Sequence, residues 1–208
     1  MDHIIQGLIM GFAYVAPIGV QNLFVMNAAL TLERRRALLT AVIVIFFDVT
    51  LALACFWWVG AVMQRYLWLQ RLILLSGALV MLYIGYGLLR SGPATVRHAQ
   101  APLSVRKICS FACVVTWFNP QAVIDGTMML GAFHAMLAGE GATGFISGVA
   151  LASTLWFLSL TLALSLFRTV FGPRAMRIIN VLSGVVILGY GGRLLMAGLE
   201  MFQPLFEL

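Results

Sequence analysis

Charged side chains are scarce in this sequence: Asp, Glu, Lys and Arg make up 10% of its 208 residues, and only seven are acidic. A soluble domain carries closer to a quarter charged residues, so the composition excludes an ordinary water-soluble fold. Cysteine is scarce too, with three in the chain: Cys55, Cys109 and Cys113. Cys109 and Cys113 share a helix face but lack third and fourth ligands, which leaves them as buried apolar side chains. His3, His98 and His134 are scattered singly near the ends of apolar runs, so no metal site and no cofactor is expected. The short alternating segments of a barrel strand are missing. The N-terminus "MDHIIQGLIMG" lacks the basic region and small-residue cleavage site of a signal peptide, and reads as a first membrane span.

What is present is apolar, at 62% hydrophobic residues and a mean hydropathy of +1.01. Runs of about 20 apolar residues recur, each long enough to cross a ~30 Å hydrocarbon core as a helix. Six spans are predicted, at 4–29, 38–63, 67–89, 108–136, 142–167 and 175–200. "TLERRR" (31–36) marks the first break, with Thr31 expected as a helix cap. Pro173 in "FGPR" suits the first turn of the last helix. The one long polar linker is 91–107, leaving 1–90 and 108–208 as two three-span units.

The net charge of +6 would suggest nucleic acid in a soluble protein. Here the basic residues lie between apolar spans and read as topology signals and lipid anchors, so no nucleic-acid partner is expected. Arg34, Arg35, Arg36, Arg90, Arg97, Arg106, Lys107, Arg168, Arg174 and Arg177 fall in the odd-numbered loops, whereas the second loop has only Arg65 and Arg71. The positive-inside rule then places the odd loops in the cytoplasm and both termini outside. Trp57, Trp58, Tyr66 and Trp68 cluster at the second loop as an outer aromatic belt.

The chain also repeats itself. "SGALVMLYIGYGLL" (76–89) matches "SGVVILGYGGRLLM" (183–196), and Pro17 and Asn22 of span one align with Pro120 and Asp125 of span four. An odd number of spans per copy inverts the second copy in the membrane. The expected fold is therefore all-α and integral to the membrane, with six spans in two inverted three-helix repeats, as in secondary transporters.

Several polar groups lie where the bilayer resists them. A charge near a span centre costs about 3 kcal/mol on insertion scales and usually faces a cavity or a partner. Asp48 sits inside span two and Asp125 inside span four; either would serve as packing glue or as a solute ligand. Arg193, near the outer end of span six, either snorkels to the interface or pairs with an Asp. Pro17 in "YVAPIGVQN" and Pro120 in "WFNPQAVID" each remove a backbone donor and break their helix. Gln21 and Asn22 follow the first break, Gln121 and Asp125 the second. Paired broken helices point to a midplane site. Free amide donors there suit an anionic group and the carboxylates a cation, a combination that fits an amino acid. "GLIMG" (7–11) and "GFISG" (144–148) are small-xxx-small pairs for close helix approach, within the bundle or across a dimer.

At these residues the sequence resembles the LysE-type amino-acid exporters of bacterial inner membranes, especially the lysine/arginine-exporting branch. The carriers are "PIGVQNLFVMN" (17–27), the Asp48 site and "TWFNPQAVIDG" (116–126). The likeness runs the length of the chain. It implies a multi-pass inner-membrane exporter that exchanges amino acids for protons. It carries family motif positions onto Pro17, Gly19, Gln21 and Asn22, and onto Asn119, Pro120 and Asp125. Carboxylates at both Asp48 and Asp125 lean toward a cationic substrate and mark the proton-coupling groups. Val20, Gln121 and Ile124 depart from the basic branch's pattern. A neutral amino acid or another small solute remains the alternative substrate. A channel and a membrane-embedded enzyme are the alternatives in kind, although no nucleophile–base pair supports the enzyme. A homodimer is compatible with so small a chain.

Overall fold

The computed structural model describes residues 2–17, 19–59, 66–90, 104–137, 141–167 and 173–200, and all regular structure among them is helical. The helices are α1 (Asp2–Val15), α2 (Val20–Thr31), α3 (Arg34–Ala54), α4 (Leu67–Arg90), α5 (Val105–Trp117), α6 (Pro120–Leu137), α7 (Ala142–Phe167) and α8 (Pro173–Glu200). A π-helical turn at Cys55–Val59 extends α3.

Two single helices, Arg34–Trp57 and Ala142–Leu166, are long and apolar enough to cross a bilayer. Asp2–Val15 and Val20–Thr31 qualify together as one broken span, with their axes 81° apart. The other expected spans correspond to α4, to α5 with α6, and to α8. The separation of spans two and three at 60–65, and most of the polar linker, lie outside the described residues. The linker's last residues belong to α5, which Ser104 caps by accepting a hydrogen bond from the Lys107 amide at 3.4 Å. Pro173 does open the last helix.

Thr31 departs from expectation. It ends α2 rather than capping α3, whose N-cap is Glu33. Its hydroxyl donates back to the Asn27 carbonyl at 2.7 Å, which satisfies it inside α2 and leaves it unavailable to the next helix.

Glycines set the two closest helix pairs. α1 packs along α7, and the pairs "GLIMG" and "GFISG" face one another there. A β-carbon on Gly7 would strike the Phe145 carbonyl, and one on Gly148 would strike the Ile4 carbonyl. Gly11 is close as well, with Ala152 Cβ at 2.6 Å from where its own would stand. These motifs therefore work inside the bundle. α4 packs along α8 through the repeated "SG" segments, where Gly184 lies 3.0 Å from the Gly85 carbonyl by the same measure. Such contacts bring backbones together where lipid offers no hydrophobic driving force for association.

The core is divided. Val20, Leu23, Ala78, Met81, Val115 and Ile187 join α2, α4, α5 and α8. Val15, Val25, Val44, Ala112 and Phe157 form a second group under the first helix break. A third contains Phe56, Leu130, Phe145 and Val149, with Phe56 and Phe133 both stacked on Phe145. Large apolar side chains such as Phe46, Trp68, Tyr83 and Met136 point outward. That distribution suits a helix bundle whose surroundings are lipid.

Candidate functional site at the paired helix breaks

Each break exposes backbone groups that the chain must satisfy, and the two halves do so differently. α1 ends at Val15, ahead of Pro17. Asn22 then folds back from α2, its Nδ2 donating to the carbonyls of Val15 at 2.9 Å and Pro17 at 2.7 Å. Its Oδ1 accepts from Trp156 Nε1 of α7 at 2.8 Å. All three hydrogen-bonding capacities in use hold the break open. In the other half α5 ends at Trp117, and Pro120 starts α6, where its missing N–H is no loss. Asn119 caps that helix, its Oδ1 accepting from the Gln121 amide at 3.2 Å.

The α2 terminus is left uncapped. Gly19, its N-cap, offers no side-chain acceptor, and a β-carbon there would meet nothing within 4 Å. Leu23 N–H closes the first helical bond, onto Gly19 O at 3.1 Å. The amides of Val20, Gln21 and Asn22 thus have no intrahelical acceptor and present a partial positive charge.

Two carboxylates face the same space. Asp48, buried in α3, accepts from Gln21 Nε2 at 3.0 Å and from Ser153 Oγ at 2.6 Å. Asp125, half-buried on α6, is held by Gln121 Nε2 at 2.8 and 2.9 Å. Among the described residues no Lys or Arg pairs with either. A cavity of about 110 Å³ brings these groups together, lined by Tyr14, Pro17, Gly19, Gln21, Asn22, Asp48, Asn119, Gln121 and Asp125 and closed by Val20, Met81 and Ile187. The Tyr14 hydroxyl is buried and has no hydrogen-bond partner there.

The sequence-predicted site residues therefore converge, with two qualifications. Pro120 opens α6 but is not among the cavity's described lining. Arg193 is exposed on α8 and is not among the residues lining the cavity. Tyr14, Ser153 and Trp156 were missed. Ser153 had a signal: its separation from Asp48 falls between those that align Pro17 with Pro120 and Ser76 with Ser183.

The arrangement offers amide donors for an anionic group, two carboxylates for a cationic one and, in the same cavity, the unpartnered Tyr14 hydroxyl. Among the described residues no three His, Cys, Asp or Glu gather as a metal site.

The family described as LysE type translocator matches residues 12–198. The arginine exporter protein ArgO of Salmonella newport (strain SL254) is 32% identical over 212 residues, covering the whole of both chains. ArgO of Salmonella choleraesuis (strain SC-B67) is 32% identical over 215 residues, and that of Salmonella typhimurium (strain LT2) 31% over 212, again with both chains covered in full. No solved structure matches. On the extent of these matches, the chain belongs to the LysE family of translocators.

Proposed function

We propose that this protein is a secondary exporter of amino acids across the bacterial inner membrane, that its substrates are the basic amino acids, and that protons are exchanged for them. The observation that carries the reading is the single cavity in which the uncapped α2 terminus faces Asp48 and Asp125. The substrate carboxylate caps the amides of Val20 to Asn22, as anions do at helix N-termini. Its cationic groups approach Asp125, which is open to the cavity, while Asp48 is braced by Gln21 and Ser153. The full-length likeness to arginine exporters favours a cationic solute.

A proton and a substrate cation compete for the same carboxylates, which suffices for exchange. Moving one positive charge outward against ~100 mV costs ~2.3 kcal/mol. One proton inward for one cation outward cancels that electrical term and leaves the pH gradient to drive export.

The pattern of helix contacts supports an inverted repeat of three spans. α4 pairs with α8 and α3 with α7, the equivalent spans of the two halves. α1 packs on α7 and α5 packs on α3, as exchange of the halves requires. Rocking one half against the other about the breaks gives alternating access.

Counterflow in proteoliposomes, with labelled arginine, lysine, leucine and threonine at two pH values, tests the reading. The expected result is exchange of arginine and lysine that responds to an imposed pH gradient. Preference for the neutral side chains would overturn the basic-substrate assignment, and flux without countertransport would replace the exchanger with a channel.

A further inference from the structure

A second and much larger cavity, about 1130 Å³, lies between α2, α4 and α5 and touches α8 at Ile187. Leu23, Phe24, Phe111 and Val114 give it apolar walls. At one end stand Arg90, Arg106 and Lys107, all exposed, and none of its described lining residues is acidic. Arg106 and Lys107 occupy the first turn of α5, where the helix dipole already places positive charge and favours an anion. Three cations and a helix N-terminus thus converge with no carboxylate among that lining.

The dimensions point to the ligand. From Arg90 to Val80 along α4 the groove covers ten residues, or ~15 Å at ~1.5 Å per residue. That is half of a ~30 Å hydrocarbon core, the depth of one leaflet. A cationic solute would meet like charge at the rim, and a small soluble anion would leave the apolar length unfilled. We propose that the groove binds one anionic phospholipid, its phosphate on Arg90, Arg106 and Lys107 and its acyl chains along α2 and α5. Val20 and Ile187 line this groove and the polar cavity alike. An acyl chain reaching them braces the first turn of α2 from behind, on the far side from the polar cavity. The assignment does not depend on which solute the polar cavity takes.

The test uses the full chain, purified in mild detergent and stripped of lipid, with native mass spectrometry and thermal unfolding. The probes are phosphatidylglycerol, phosphatidylcholine and inorganic phosphate. Phosphatidylglycerol is expected to be retained one per chain, at least tenfold over phosphatidylcholine, and to raise Tm. R106Q/K107Q should abolish that preference. Gly87→Phe should lower retention of both lipids without touching a charge, because a β-carbon at Gly87 meets nothing within 4 Å. It also keeps the test open should the charge variant fail to fold. Equal retention of the two lipids, or the same Tm rise with inorganic phosphate alone, would overturn the proposal. So would wild-type lipid selectivity in R106Q/K107Q, or a Tyr83→Cys cross-link joining two chains face to face over the groove.

Discussion

Ser153 donates its hydroxyl to Asp48 Oδ2 at 2.6 Å, joining α3 to α7 by a hydrogen bond buried inside the bundle. The bond ties two long helices together beside the polar cavity, which Asp48 lines. Gln21 completes the arrangement by holding the second carboxylate oxygen at 3.0 Å from the first turn of α2. One carboxylate therefore connects the helix break at α2, its own helix α3 and α7.

Ser153→Ala removes one of these donors and leaves a buried acceptor short of a partner. A loss of about 1–3 kcal/mol in stability is expected for such a change. Thermal unfolding of the purified variant, beside arginine counterflow, measures it. Ser153→Thr retains the hydroxyl and should recover most of the transport.

Asn22→Ala should be worse than Trp156→Phe. The first deletes three hydrogen bonds and strands the Val15 and Pro17 carbonyls, whereas the second removes only the donor to Asn22 Oδ1. At ~1 kcal/mol for each bond, and more for a stranded buried carbonyl, the expected ratio of the two losses is at least twofold. Denaturant titration in detergent gives both values, and a Trp156→Phe loss equal to that of Asn22→Ala would contradict the assigned role of Asn22.

Two glycines near each other in sequence should respond in opposite ways. Gly7→Leu puts a side chain into the α7 backbone at Phe145 and is expected to yield no folded protein. Gly19→Leu meets open space and should fold with wild-type Tm. Its side chain enters the cavity at the uncapped helix terminus, so arginine exchange should fall at least tenfold, a change of ~1.4 kcal/mol.

Asp125→Asn keeps the shape and the Gln121 contact but removes the charge open to the cavity. Exchange of arginine should drop at least tenfold, with Asp125→Glu retaining more than Asp125→Asn.

For wild-type vesicles the sign of the pH response follows from one proton in for one cation out: acidifying the outer side relative to the cytoplasmic side accelerates export. If D48N and D125N both leave efflux intact and equally responsive to pH, proton exchange at these carboxylates is wrong.

Much of this architecture was legible because the bilayer punishes particular residue types. Apolar runs of span length, broken by Pro17 and Pro120, located the helices and both breaks. Asp48 and Asp125 declared themselves as charges in hydrocarbon. Local errors came where a side chain had two partners within reach: Thr31 looked like a cap for α3 but bonds backward to Asn27 within α2.

Sequence by itself determined the membrane class, the family and the short roll of polar groups that had to meet, because each is a local property of composition or motif. Only the tertiary structure decided what those groups do. Asn22 and Asp125 align at matching sequence positions and both line the cavity, yet Asn22 also spans a helix break, its amide on the Val15 and Pro17 carbonyls and its oxygen on Trp156, while Asp125 is held by Gln121. "GLIMG" and "GFISG" could have served a dimer, and the packing of α1 on α7 assigned them to the bundle. Tyr14, an ordinary aromatic in an apolar run, became a free hydroxyl at the site. Such roles depend on which helix lies opposite, and a single chain's local pattern does not contain that information.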